Sequence, residues 1–205
     1  MELRDRNGLT ETEFLAQYDA SKFERPSVTV DIILTYKGRL LMIKRGGHPA
    51  LGKYALPGGF VEMTETVEHA AVRELTEETG ISSVAVRQLR VWSQPDRDPR
   101  TRIITVAFAA TFIGNVPDAH AGDDADDAGW FEYSVKYDPE TVSDTEHAQL
   151  MHISLVCGEN KIDYTVKKIT PILPFKCDSV FQFVTDCALA GDHGLIIADA
   201  LDKQK

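Results

Sequence analysis

The sequence predicts a single α/β domain. Three observations lead there: runs rich in β-branched and aromatic residues at 28–36, 40–45 and 103–113, a stretch without Gly or Pro at 64–79, and an apolar-patterned tail at 193–203. The chain has 205 residues, 43% hydrophobic and 26% charged, which suits one well-buried domain with decoration rather than two full domains or a disordered polymer.

The opening, residues 1–24, is a lead-in in which Thr10-Glu11-Thr12-Glu13 precedes Phe14, Leu15 and Tyr18, the pattern of a capped short helix. The strand at 28–36 turns through Lys37-Gly38-Arg39 into a second strand at 40–45. Gly46, Gly47, Pro49, Gly52, Pro57, Gly58 and Gly59 then punctuate a loop around a short extended piece, Tyr54-Ala55-Leu56. A helix of about four turns is predicted over 64–79, with Thr64 as N-cap and Gly80 as the left-handed terminator. Its Val67, Ala71 and Leu75 are the positions expected to pack on the sheet.

Strands follow at 83–89, 90–93 and 103–113, and an acidic loop from Gly122 to Asp127 leads to Trp130-Phe131. Residues 150–156 and 162–166, joined through Gly158-Glu159-Asn160, have the pattern of a β-hairpin, and 178–190 and 193–203 are helix candidates.

Charge and cysteine content exclude several function classes. A formal net charge of −10 repels phosphate backbones, so nucleic acid is not an expected partner and any phosphate chemistry is local, through a metal or a few arginines. Cys157, Cys177 and Cys187 lack CxxC spacing and no apolar signal segment opens the chain, which fits reduced thiols in a cytoplasmic protein. No apolar run approaches the roughly 18 to 20 residues that span a bilayer, so no membrane role is expected.

The chemistry sits in the 64–79 helix. Glu74, Glu77 and Glu78 fall at i, i+3 and i+4, so their side chains share one face. Alone, this is the pattern of a solvated acidic face, and crowding like charges costs a helix roughly 0.2 to 0.5 kcal/mol per pair. The frame changes that reading: Gly59, five residues, Glu65, seven residues, Arg73-Glu74-Leu75, one residue, Glu77-Glu78, one residue, Gly80-Ile81. A chance match to such a frame is on the order of 10⁻⁷.

This frame resembles the Nudix box in every defining position. The resemblance implies an α/β/α sandwich with a mixed sheet between helices, and hydrolysis of a diphosphate linkage with Mg²⁺, or Mn²⁺ in its place. It also implies that Glu74, Glu77 and Glu78 are metal ligands and catalytic residues, that the Gly58 carbonyl completes the metal site, that Arg73 orients the carboxylates, and that Glu65 supports Arg73. Hard, small cations take oxygen ligands, so the donor types are consistent. In this family the water is activated by a box glutamate or by a later acidic loop, where Asp123, Asp124, Asp126 and Asp127 stand here.

A closer resemblance runs from about Tyr18 to Phe131, through Tyr18-Asp19, Arg25-Pro26-Ser27-Val28-Thr29-Val30-Asp31, Leu56-Pro57-Gly58-Gly59-Phe60-Val61 and Arg97-Asp98-Pro99-Arg100. These stretches are similar to the ADP-ribose pyrophosphatase branch tied to NAD metabolism, which implies ADP-ribose as substrate and AMP and ribose 5-phosphate as products. The same branch includes repressors that sense ADP-ribose. The complete box, the acidic charge and a C-terminal part without a basic recognition helix favour an enzyme. Other Nudix substrates, namely NADH, dinucleoside polyphosphates and damaged nucleotides, are the alternatives. Arg45, Arg97 and Arg100 are the candidates for substrate binding, with Arg102 beside them.

The tail departs from the relatives. Asp192-His193, Leu195-Ile196-Ile197 and Ala200-Leu201 resemble a terminal helix that usually follows the acidic loop closely, yet residues 133–190 intervene. The expected organisation is therefore a lead-in at 1–24, a core at 25–132, an inserted hairpin and helix at 133–190, and a terminal helix at 191–205. Such an insertion can extend a sheet edge, cover the substrate or form a homodimer interface.

Overall fold

The computed structural model describes residues 2–82, 84–111, 125–175 and 177–204, the side chains of 125–127 excepted. The elements are α1 (Glu11–Gln17), a 3-10 turn (Ala20–Lys22), β1 (Ser27–Tyr36), β2 (Arg39–Arg45), β3 (Tyr54–Ala55), α2 (Val67–Thr79), β4 (Ala85–Trp92) and β5 (Ile103–Thr111). They continue with β6 (Ala125–Tyr137), β7 (Thr141–Val142), β8 (Glu146–Cys157), β9 (Asn160–Pro171), β10 (Val180–Phe183) and α3 (His193–Asp202).

The strands form one mixed sheet in the order β10-β9-β8-β6-β2-β1-β5-β4, with β3 beside β2 and β7 beside β8. β1 and β5 run parallel, Ser27 opposite Ile103 through Thr35 opposite Thr111, while the other pairings are antiparallel. Because side chains alternate across a strand, the core is split into two layers. Val30, Ile32 and Leu34 of β1 pack with Leu41, Val106 and Phe108 under Ala70, Ala71 and Leu75 of α2. Ile33, Leu40, Met42 and Phe131 face the other way, toward Ile196, Ile197 and Leu201 of α3 and toward Met151, Ile153 and Val166 of the β8–β9 hairpin. The α/β/α arrangement follows from this alternation, and Ala71 and Leu75 are buried while Val67 packs at the margin.

Four sequence expectations change. The α2 N-cap is Thr66 rather than Thr64: the Thr66 hydroxyl accepts the His69 N–H at 3.3 Å, and Glu65 is held in the preceding loop, where it accepts the Glu62 N–H. The stretches expected at 83–89 and 90–93 join in one strand, β4 (Ala85–Trp92), with a register shift between Gln88 and Arg90, and Ser83 lies outside the described residues. The helix expected at 178–190 is absent. Val180-Phe181-Gln182-Phe183 adds to β9 as strand β10, with Phe181 buried and its neighbours exposed; β-favouring Val and Phe beside the open edge of β9 prevail there over helix propensity. The hairpin is longer than expected, since β6 continues past Phe131 and pairs with β8 from Glu132 to Tyr137. Asp123 and Asp124, and the side chains of Asp126 and Asp127, lie outside the described residues.

Phe131 joins the sheet's two halves: it is fully buried and its ring meets Tyr54 edge-on at 4.8 Å between centroids. Phe131→Ala is expected to lower unfolding stability by about 3 to 5 kcal/mol, read as a lower urea midpoint at unchanged slope; a midpoint equal to that of the parent would contradict this packing.

Candidate active site

The site begins with a close backbone approach. The loop after β3 runs beside β1, where Ile32 N–H donates to Pro57 O at 2.8 Å, Val30 N–H to Gly59 O at 2.9 Å and Val61 N–H to Val28 O at 2.9 Å. A Cβ at position 58 would collide with the Val30 carbonyl, and one at position 59 would lie 2.5 Å from the Glu74 carboxylate. Only glycine lets this loop lie between β1 and α2. At its other end α2 stops on Gly80, whose φ of 70° is the left-handed region that favours glycine.

Glu78, 8% exposed, accepts the Gly58 N–H at 2.8 Å. Glu74 lies against Gly59 and is held by Arg73, whose Nη1 donates to Glu74 Oε1 and to Glu77 Oε2, each at 2.9 Å. The same guanidinium donates to the Phe60 carbonyl at 3.0 Å and, through Nε and Nη2, to both Glu65 oxygens at 3.1 and 2.6 Å. Arg73 therefore ties the box glutamates to the loop, and Glu65 is its anchor. That anchoring pulls the Glu65 carboxyl down to about 2, chiefly through the Arg73 hydrogen bonds. Burial pushes Glu78 up to about 8, with the Glu74 and Asp31 charges adding to it and the Gly58 amide and Arg45 opposing. Glu74 is also raised, burial outweighing its bond to Arg73.

These groups line one cleft of about 910 Å³, which also takes in Arg45, Arg97, Arg100, Asp31, Asp192 and His193. Gly58, Arg73, Glu74, Glu78, Arg45, Arg97 and Arg100 thus line one cleft. Glu77 does not line the cleft; its side chain is 58% exposed on the outer side of Arg73. Arg102 is also outside, donating to the Gln94 carbonyl. The arginines are not idle. Arg45 donates to Pro49 O at 2.8 Å, Arg100 pairs with Asp98 and lies 5.3 Å over the Phe60 ring, and Arg97 grips Asp192 through two bonds at 2.9 and 2.7 Å.

Asp31, Asp192 and His193 had no assigned role in the sequence reading. Asp31 carried a signal, a lone charge inside an otherwise apolar strand. Its Oδ2 accepts the Thr105 hydroxyl at 2.7 Å. His193, the first residue of α3, accepts the Leu56 N–H on Nδ1 at 3.0 Å, which leaves the proton of the neutral ring on Nε2.

The donor set fits a small divalent cation. A buried carboxylate and a partly buried one stand beside a glycine loop shaped around one of them, and all the donors are hard oxygens. Among the described residues no three His, Cys, Asp or Glu side chains cluster tightly enough to cage an ion.

The NUDIX domain family matches residues 25–150. An ADP-ribose pyrophosphatase of Methanocaldococcus jannaschii is 48% identical over 107 residues, 52% of this chain and 62% of that protein. An ADPR responsive transcriptional repressor, NtrR of Acinetobacter baylyi, is 38% identical over 110 residues, 51% of this chain and 44% of that protein. The chain therefore spans less than two thirds of the length of either relative. A MutT/nudix family protein from Enterococcus faecalis has a crystal structure that superposes with a TM-score of 0.69 at 33% identity, covering 97% of this chain and 70% of that one. That coverage takes in the β8–β9 extension.

The buried carboxyl makes a pH prediction. Unfolded, Glu78 titrates near 4.5; folded and free of divalent cation, it titrates at about 8. The folded protein retains a proton that the unfolded chain has released, so this contribution to stability is complete below the lower value and is lost as pH rises toward the upper one. Chelator-treated protein should lose stability across that window relative to Glu78→Gln, which cannot titrate. Parallel stability curves for the two proteins would contradict the burial of this carboxyl.

Proposed function

The chain belongs to the NUDIX domain family, and we propose that it is a Mg²⁺-dependent hydrolase that cleaves ADP-ribose at its diphosphate into AMP and ribose 5-phosphate. The observation that carries this reading is the placement of Glu74 and Glu78 against Gly58-Gly59 in a cleft that also holds Arg45, Arg97 and Arg100. The 48% identity to an ADP-ribose pyrophosphatase supports the substrate.

In this reading Glu74, Glu78 and the Gly58 carbonyl would hold the cation, with Glu77 as a further carboxylate. When bound, Mg²⁺, or Mn²⁺ in its place, would supply positive charge against the phosphate oxygens during attack by water. Arg73 fixes the direction of the Glu74 and Glu77 carboxylates, which keeps them from swinging apart under mutual repulsion. Arg45 adds positive charge beside Glu78, and the Arg100–Phe60 stack at the cleft gives a planar surface for the base. The proton of the attacking water leaves to a carboxylate, either a glutamate of α2 or an aspartate of the 123–127 stretch.

A sensor of ADP-ribose is the second reading, favoured by the likeness to the Acinetobacter repressor. The complete box and the net charge of −10 favour hydrolysis over a DNA-binding role. The free thiols of Cys157, Cys177 and Cys187 suit a reducing compartment, so the cytoplasm is the proposed location. Exposed Ile172, Leu173 and Phe175 beside the edge strand β10 offer a surface for the homodimer that the extension allows. Among the described residues no helix is long and apolar enough to cross a membrane.

Glu78→Gln and Glu74→Gln are expected to lower kcat for ADP-ribose by at least about 100-fold while the fold is retained by circular dichroism. Turnover at the parental rate in both variants would remove these glutamates from the chemistry.

A further inference from the structure

The cleft has a polar floor apart from the residues proposed to hold the metal. Asp31 projects from the middle of β1, and its side chain is only 9% exposed. Its Oδ2 takes the Thr105 hydroxyl, whereas Oδ1 takes no hydrogen bond from any described residue. The donors facing this carboxylate stop short: His193 Nε2 stands 3.8 Å from Oδ1, and Arg97 Nη2 stands 3.8 Å from Oδ2.

Neither donor is loose. His193 is fixed from behind by the Leu56 N–H, which directs Nε2–H at Asp31, and Arg97 is fixed by its two bonds to Asp192. Asp31 lines the cleft, so its Oδ1 is left for a group that enters the cleft, and donors held in place cannot move in to satisfy it.

We propose that Asp31, with His193, Arg97 and Asp192, forms a hydroxyl-binding subsite that grips the vicinal diol of the pentose beyond the diphosphate. An oxygen atom about 2.8 Å from both ends of a gap of this length fits off its axis. Only a group that donates and accepts at once satisfies both sides, and a hydroxyl does so. It donates to Asp31 and accepts from His193 or Arg97. The carboxylate has two oxygens, each facing such a gap, and a vicinal diol presents two hydroxyls side by side, the way acidic residues hold ribose in dinucleotide sites. A base has a stacking surface elsewhere in the cleft, where Phe60 lies under Arg100.

The proposal rests on the diphosphate-hydrolase reading, and the test separates the two. Wild-type protein and Asp31→Asn are assayed with ADP-ribose and with its analogues lacking the 2- or 3-hydroxyl of the terminal pentose. NADH, whose second pentose carries the same diol and a base, forms a further arm. For the wild type, kcat/KM should fall about 10- to 100-fold when either hydroxyl is removed, and in Asp31→Asn the same removal should cost little. Dependence on the terminal diol of ADP-ribose in the wild type, lost in Asp31→Asn, supports the subsite. Equal turnover of parent and deoxy compounds by the wild type overturns the subsite while leaving the hydrolase intact, and needs no variant to fold. No turnover of any of these compounds overturns the activity reading and the subsite with it.

Discussion

The hydrogen bond from the Gly58 amide to the Glu78 carboxylate joins the two pieces on which the site depends: the loop beside β1 and the acidic face of α2. It holds a carboxylate nearly out of water, next to Glu74 and within reach of the Asp31 charge. Such a grouping is unfavourable by itself, because burial and like charge both oppose ionisation. Its persistence has a structural cause in the rest of the fold. Leu75, Ala71 and Ala70 pin α2 to the sheet, the loop is paired with β1 on both sides of Pro57, and Arg73 binds the neighbouring glutamates from outside. The same features that make the site strained without a cation make it a receptive one for a cation.

The terminal helix performs a similar joining on the opposite side of the cleft. Asp192 and His193 stand at the start of α3 and tie two loops that are far apart in the chain: His193 binds Leu56 ahead of the glycines, and Asp192 holds Arg97 beyond β4. Both walls of the cleft are thereby referred to one helix that is packed into the core through Ile196, Ile197 and Leu201. The long β6–β8–β9 extension supplies the apolar surface of Met151, Ile153 and Val166 that covers this helix from the far side. It is part of what seats α3, in addition to any role as an interface.

Much of this was legible in the sequence because the information was local. The box puts Gly58, Gly59, Arg73, Glu74 and Glu78 within one loop and one helix, where spacing alone dictates which side chains meet. The strands β1, β2 and β5 followed from β-branched runs for the same reason. What was hidden is non-local. Asp31, Thr105 and His193 meet across three elements, and no periodicity connects them. Arg97 looked like a free cation for substrate because Asp192, its partner, is nearly a hundred residues away. Glu77 shared the helical face of Glu74 and Glu78 yet turned outward, since Arg73 offers it a bond at the surface. At 178–190 a helix was expected, but the free edge of β9 takes Val180 to Phe183 as a strand.

The most direct measurement is product analysis in ¹⁸O-labelled water, with purified protein and ADP-ribose, in the presence of Mg²⁺ and after its removal. The account requires AMP and ribose 5-phosphate in equal amounts, one carrying a single labelled oxygen, formed only when the cation is present. Tight binding of ADP-ribose with no labelled product under any metal condition would contradict it, and would assign the cleft to recognition instead of chemistry.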